Sequence, residues 1–215
     1  MLFNWDVLIW ILPAYLFGSI PTAVWVGKTF FDVDVREHGS KNAGATNTFR
    51  VLGRRAGVPV LLFDIFKGWF PCFLFPKFTP LEADTNLYIK LQIMLGAAAV
   101  VGHLFPLFAN FKGGKGVATM LGILLAIHLK AALISFGIFS FFYVTFSYVS
   151  LGAIMAAVCF PFLLVWVFRN QLEALNYFAI AVSSMLIITH RKNIDRLLRG
   201  EEGKMPILGK KSPKN

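Results

Sequence analysis

Apolar residues run through this chain in long blocks, and the blocks have the length of membrane spans. Seven stand out, at 6–27, 57–76, 89–109, 117–129, 131–149, 151–168 and 174–190. A helix needs about 20 mostly apolar residues to cross a bilayer. The fourth block is short, and its border with the fifth falls at His128–Lys130; a six-span reading would merge or drop it. Reduced length suits a helix that starts in a protein-lined cavity and not at the lipid surface. Pro13, Gly18, Pro21, Pro71, Pro106 and Pro161 stand where they kink or end spans and open space between helices. The pattern predicts an all-α integral membrane protein, a compact bundle of about seven transmembrane helices. Residues 1–200 form a single polytopic domain, since the 77–88 connection is too short for a second one, and residues 201–215 form a basic tail.

Composition strengthens that reading. The chain is 57% hydrophobic and 15% charged, with 23 Phe, where a soluble domain averages about one quarter charged residues. A net charge of +10 would suggest nucleic acid in a soluble protein; here it reads as topology and anion binding, with no nucleic acid. The cations cluster in the 28–56 loop, the 110–116 loop and the segment after 190, while the other side carries only Lys77, Lys90, Lys130 and Arg169. The positive-inside rule then puts the N-terminus outside and the C-terminus in the cytoplasm, which an odd number of spans satisfies. The first residues carry Asp6 and neither Lys nor Arg, the wrong sign for a signal peptide. Cys72 and Cys159 lie in apolar runs without CxxC spacing, and no cluster has metal-ligand spacing, so neither metal nor cofactor is expected.

Three polar segments carry candidate chemistry, all on the predicted cytoplasmic side. The first, Glu37 to Arg50, packs Gly39, Ser40, Asn42, Gly44, Thr46 and Asn47 together. Such residues accept unusual backbone angles and wrap anions with N–H groups, and Arg50 adds a fork for phosphate. The second, Lys112-Gly113-Gly114-Lys115-Gly116, leads directly into an apolar helix, whose N-terminal amides and dipole favour phosphate. It is not a Walker A loop, because Ala109 and Gly116 stand where Gly and Ser or Thr would be needed. The third runs from His190 to Glu202; as a helix it puts His190 and Asn193 on one face. His190 and Asp195 match the H-x-x-x-x-D spacing of another acyltransferase class, yet five residues of helix leave the two on different faces. Asp64 and Lys67, inside the second span, are either a structural pair or the polar floor of a site.

Together these segments resemble the bacterial acyl-phosphate:glycerol-3-phosphate acyltransferase family. Arg36 to Arg50 fits R-x-x-G-S-[GK]-N-x-G-A-T-N-x-x-R, Gly102 to Thr119 fits G-H-x-F-P-x-F-x-x-F-x-G-G-K-G-x-A-T, and His190 to Glu202 fits H-x-x-N-I-x-R-L-x-x-G-x-E. Gly18-Ser19-Ile20-Pro21 and Asp64-x-x-Lys67-Gly68 fit as well, so the resemblance covers nearly the whole chain in order. It implies a multi-pass enzyme of the bacterial cytoplasmic membrane with its active site on the cytoplasmic side. The reaction implied moves a fatty acyl group from acyl phosphate to the 1-hydroxyl of glycerol 3-phosphate, giving lysophosphatidic acid in the first committed step of phospholipid synthesis. Functional coupling to an acyl-phosphate-producing enzyme is implied too. Ser40, Arg50, Lys115, His190 and Asn193 are then the expected catalytic residues. Gly39, Asn42, Gly44, Thr46, Asn47, Lys112, Gly113, Gly114 and Gly116 are the expected substrate-binding ones. The rival class is a transporter or flippase of a phosphate-bearing solute or lipid. That class would show repeated halves and polar residues deep in several spans; here only Asp64 and Lys67 lie deep.

Overall fold

The structure is a computed structural model that describes residues 5–83 and 85–205. The end of the predicted tail, with Pro206, Gly209, Lys210, Lys211, Pro213 and Lys214, lies outside the described residues. All regular structure among the described residues is helical. The first apolar block is divided into α1 (Trp5–Leu8), α2 (Ile11–Gly18) and α3 (Thr22–Phe31). Pro21 supplies the break: it has no amide hydrogen to continue α2 and disfavours helical geometry at the residue before it. Then follow the short α4 (Ala45–Leu52), the long α5 (Arg54–Leu74) with a 3₁₀ turn to Phe78, and α6 (Asn86–Leu104). α7 (Val117–Ile127) and α8 (Leu129–Phe146) meet at His128, whose Nδ1 accepts the Ala131 amide at 3.2 Å and caps α8. The predicted border between the fourth and fifth blocks is therefore at the histidine. α9 (Val149–Phe162) runs into a π-helical turn, Leu163–Val167, just after Pro161. α10 (Glu173–Thr189) and α11 (Arg191–Leu198) are bent 60° from each other.

Among the described residues, four helical stretches are long and apolar enough to cross a bilayer: Arg54–Phe78, Asn86–Ala109, Leu129–Phe146 and Val149–Val167. The bent pair α10–α11 makes a fifth. The remaining two predicted blocks are a broken helix, α2–α3, and the 11-residue α7.

α5 and α7 form the centre of the bundle. A Cβ on Gly68 would collide with the Thr119 carbonyl, and one on Gly122 with the Ile65 carbonyl, so glycine lets the two backbones approach closely. Ile123, Leu164, Ala131 and Ala179 fill the core beside them, while Leu62, Phe136, Phe141, Trp166 and Ile188 are exposed around the outside, as lipid-facing side chains are. The buried Lys67 donates to the Ile20 carbonyl at 3.0 Å, at the break between α2 and α3. This packing carries the three polar segments to one end of the bundle.

Candidate functional site

The first loop is closed by its own side chains. Asp34 accepts a fork from Arg36, Nε to Oδ1 at 3.0 Å and Nη2 to Oδ2 at 2.7 Å, and Lys28 approaches it at 3.3 Å. Hydrogen bonds from Arg36, above all, hold the Asp34 carboxyl well below the usual carboxylate range. Asn47 is 1% exposed. Its amide donates to the Val35 carbonyl at 2.7 Å and the His38 carbonyl at 3.1 Å, and its Oδ1 accepts the Ser40 amide at 2.8 Å. Those bonds hold Gly39 in the left-handed region, φ 59°, and leave Ser40 exposed on the turn. Asn47, expected as a substrate ligand, is thus the clip that shapes the loop. α4 then starts from Gly44 with no side-chain cap, leaving its first amides free for an anion.

The second segment folds back on the end of α6. The Gly113 and Gly114 amides donate to the carbonyls of Leu104 and His103, each at 3.2 Å. A side chain on Gly114 would collide with the His103 ring and lie 3.1 Å from the Ala43 carbonyl of the first loop. Arg36 makes a second joint, donating from Nη1 to the Ala109 carbonyl at 3.1 Å. Gly116 turns the chain with φ 84° and starts α7, again without a side-chain cap. Two uncapped helix N-termini therefore begin within a few residues of the Ala43–Gly114 contact, so two dipole ends favour one anionic region.

Lys115 reaches from this turn to the third segment and donates to Asn193 Oδ1. Burial, first of all, pushes its ammonium down to about 8; Arg196 and Arg50 push the same way and Glu202 opposes them. Asn193 is fixed on its other side, its amide donating to Glu202 Oε1 at 2.6 Å. Glu202 also accepts Ser150 Oγ at 2.6 Å and Arg196 Nε at 2.7 Å. Burial alone would raise this carboxyl, and the hydrogen bonds with the Arg196 charge outweigh it and hold it low. His190, 4% exposed, lies with Nδ1 2.8 Å from the Leu186 carbonyl. That contact assigns the proton to Nδ1 and leaves Nε2 as an acceptor. The Arg50 guanidinium stands near Gly203, its Nη2 3.7 Å from where a Cβ would sit.

Of the expected residues, Lys115, His190 and Asn193 come together, with Arg50 beside them. Asn42, Gly44 and Thr46 flank the start of α4, and Gly113, Gly114 and Gly116 form the turn into α7. Lys112, with Asp34, Arg36, Glu37, Lys41, Asn110 and Gly113, lines a polar cavity of about 440 Å³ between the first and second segments. Asp195 pairs with Arg199 at 3.0 Å on the exposed side of α11, apart from the buried His190, so the H-x-x-x-x-D spacing builds no dyad. Glu202 and Arg36 were not among the expected site residues, although both stand in the matched motifs. On the apolar side, a groove of about 410 Å³ runs along α3 and α5, lined by Ile20, Thr22, Trp25, Val26, Thr29, Phe30 and Phe63.

The family model described as "Glycerol-3-phosphate acyltransferase" matches residues 8–200. A glycerol-3-phosphate acyltransferase of Fusobacterium nucleatum subsp. nucleatum is 41% identical over 194 residues, covering 90% of this chain and 95% of the relative. One from Staphylococcus aureus is 41% identical over 201 residues, covering 93% and 98%. Among solved structures, the glycerol 3-phosphate form of PlsY (YgiH), described as an integral membrane glycerol 3-phosphate acyltransferase, superposes with a TM-score of 0.83 at 36% identity, covering 94% of this chain and 96% of that one. Its lysophosphatidic acid form gives a TM-score of 0.80.

Proposed function

This chain belongs to the glycerol-3-phosphate acyltransferase family and is a multi-pass membrane acyltransferase, and from that premise we propose that its donor is acyl phosphate and its catalytic groups are Ser40, Arg50, Lys115, His190 and Asn193. The observation that carries the assignment is the contact of Lys115 with Asn193 beside His190, which joins two motifs 78 residues apart. One relative of this chain was solved in a glycerol 3-phosphate form and a lysophosphatidic acid form, an acceptor and a product that both carry phosphate. Lys115, Arg50 and the α7 amides hold the acceptor phosphate. The first-loop amides from Gly39 to Thr46 hold the acyl phosphate.

Acyl phosphate is a mixed anhydride, so positioning and charge stabilisation supply most of the rate. The 1-hydroxyl oxygen attacks the acyl carbon, the resulting oxyanion is held by loop amides, and the bond to the phosphate oxygen breaks. Inorganic phosphate leaves, and the hydroxyl proton passes to that phosphate. His190 Nε2, an acceptor while Nδ1–H is held by the Leu186 carbonyl, is the side-chain alternative to that phosphate as acceptor of the proton. The apolar groove along α3 and α5 offers the acyl chain a place beside the lipid. Seven crossings, counting α2–α3 and α7, keep the N-terminus outside and the motifs with residues 201–215 in the cytoplasm, at the bacterial inner membrane. Functional coupling to an acyl-phosphate-producing enzyme follows from the donor.

Purified protein in detergent, given acyl phosphate and glycerol 3-phosphate, is expected to release phosphate and lysophosphatidic acid in equal amounts. Absence of turnover at every chain length, or turnover only with acyl thioesters, would refute the donor assignment.

A further inference from the structure

The ion pair inside α5 takes no part in the chemistry above, and its neighbours connect it to the site. Asp64 and Lys67 are each 2% exposed. Lys67 Nζ lies 2.8 Å from Asp64 Oδ1 and donates to the Ile20 carbonyl. A buried pair in a bilayer is expensive and persists where both partners are fixed. His103, on α6, is 5% exposed. Its Nδ1 is turned to Asp64, 3.8 Å from Oδ1, and has no hydrogen-bond partner among the described residues. The opposite edge of the ring faces the glycine-rich turn, where a Cβ on Gly114 would collide with Nε2. The His103 carbonyl meanwhile accepts the Gly114 amide. One imidazole therefore stands between a fixed carboxylate and the backbone of the residue next to Lys115.

We infer that Asp64, Lys67 and His103 form a buried strut under the glycine-rich turn, and that His103 is a positioning residue which aims Lys115 at Asn193 and the acceptor phosphate. The ring sets how closely residues 113–115 approach the end of α6, and glycine at 114 lets that contact exist. Lys67 ties the same strut to the α2–α3 break at Ile20, so the turn is referred to the rigid centre of the bundle and not to a solvated loop. The inference rests on Lys115 as the ligand of the acceptor phosphate.

The test uses the full chain in detergent as wild type, His103→Ala, His103→Gln and Asp64→Asn. Each is taken as the monodisperse fraction and assayed for kcat and for both KM values. His103→Ala is expected to raise the KM for glycerol 3-phosphate about tenfold and leave that for acyl phosphate within about twofold. In a Lys115→Ala background it is expected to add less than about twofold, because both changes act through one ammonium. His103→Gln, which restores a polar group under Gly114, is expected to regain most of the loss. A purely structural role would lower the yield of folded protein and leave both KM values in place. An unmoved KM in folded His103→Ala, or a full tenfold loss added to that of Lys115→Ala, overturns the inference. If the alanine variant does not stay folded, Asp64→Asn carries the comparison: it is expected to raise the KM for glycerol 3-phosphate about threefold or more by loosening the carboxylate that faces His103, and a wild-type KM in the folded variant overturns the inference. A wild type without turnover would overturn the enzyme reading itself, whereas an active wild type with unmoved KM values would overturn only the strut.

Discussion

Replacing Lys115 by Ala tests the centre of the site. The ammonium has three N–H donors and spends one on Asn193 Oδ1, so two remain for a phosphate. A hydrogen bond to a charged group is worth about 1.5–3 kcal/mol, which is a loss of about 10- to 150-fold in kcat/KM for glycerol 3-phosphate. Asn193 keeps its bond to Glu202, so the third motif stays in place and the loss reports the missing charge. Initial rates of phosphate release, varying one substrate at a time, give the two KM values. That for glycerol 3-phosphate is expected to carry nearly all of the change. The same lysine sets a pH limb. Burial lowers it to about 8; below that pH it is charged and binds phosphate, and above it the charge is lost. Wild-type kcat/KM for glycerol 3-phosphate is expected to fall as pH rises through about 8. A bound phosphate dianion favours the ammonium, so the kcat limb should lie at higher pH. Equal effects on both substrates, or the same limb in Lys115→Ala, would refute the assignment.

Other substitutions separate parts of the argument. Gly114→Ala puts a methyl into the His103 ring and the first loop; activity is expected to fall at least about a hundredfold, as overpacking of about 1–3 kcal/mol combines with a displaced Lys115, and near-normal rates would contradict that packing. Asp195→Asn removes an exposed pair with Arg199 worth about 0–1 kcal/mol; kcat is expected to stay within about twofold, and a collapse would revive the His190–Asp195 dyad. Glu202→Ala leaves Ser150, Asn193 and Arg196 without their shared acceptor, at about 1–3 kcal/mol for each buried donor; thermal unfolding should shift down together with activity, and an unchanged midpoint would deny Glu202 its role as anchor. Acid quench of a single turnover with acyl phosphate labelled in the acyl group is expected to trap no acylated Ser40, because no base lies within hydrogen-bond reach of it among the described residues; a trapped adduct would establish covalent transfer.

Hydrophobic block length was legible because it is a local property of the chain. Among the described residues, five of the seven blocks correspond to a helix or a bent helix pair long and apolar enough to cross a bilayer, and the border at His128 falls within the predicted interval. The division of the first block was half legible: Pro21 marked it, but whether a proline kinks a helix or ends it depends on what satisfies the backbone around the break. Here the Ile20 carbonyl accepts from Lys67 Nζ, 47 residues away, which no local pattern shows. Glycine and lysine in the second motif pointed correctly to a turn opening a helix, since φ at Gly116 and an uncapped N-terminus follow from local chemistry. Asn47 could not be read the same way. Its composition suggested a ligand, yet its amide is committed to Val35, His38 and Ser40, a fact of loop closure and not of residue type. Glu202 escaped for the converse reason. In a basic, Pro- and Gly-bearing stretch it looked like tail, and only the return of the chain to α9 and α11 reveals its three donors.

Acidic residues acquire a common meaning from this. The chain has 11 Asp and Glu against 21 Lys and Arg, and a mouth for two phosphate-bearing substrates gains nothing from negative charge near the anions. Yet each tier of the site holds one paired carboxylate. Asp34 grips Arg36, which ties the first loop to Ala109. Glu202 grips Asn193 and Arg196, and Asp64 grips Lys67 below. Each is turned toward a protein cation or amide, so it is spent on fixing a donor. A flexible basic loop would bind phosphate through charge alone and lose much of that attraction in salt. Donors fixed by carboxylates keep their direction when the charge is screened. Reaction between two anions needs that direction more than it needs net charge, because the attacking oxygen must be brought to the acyl carbon against the repulsion of the two phosphates.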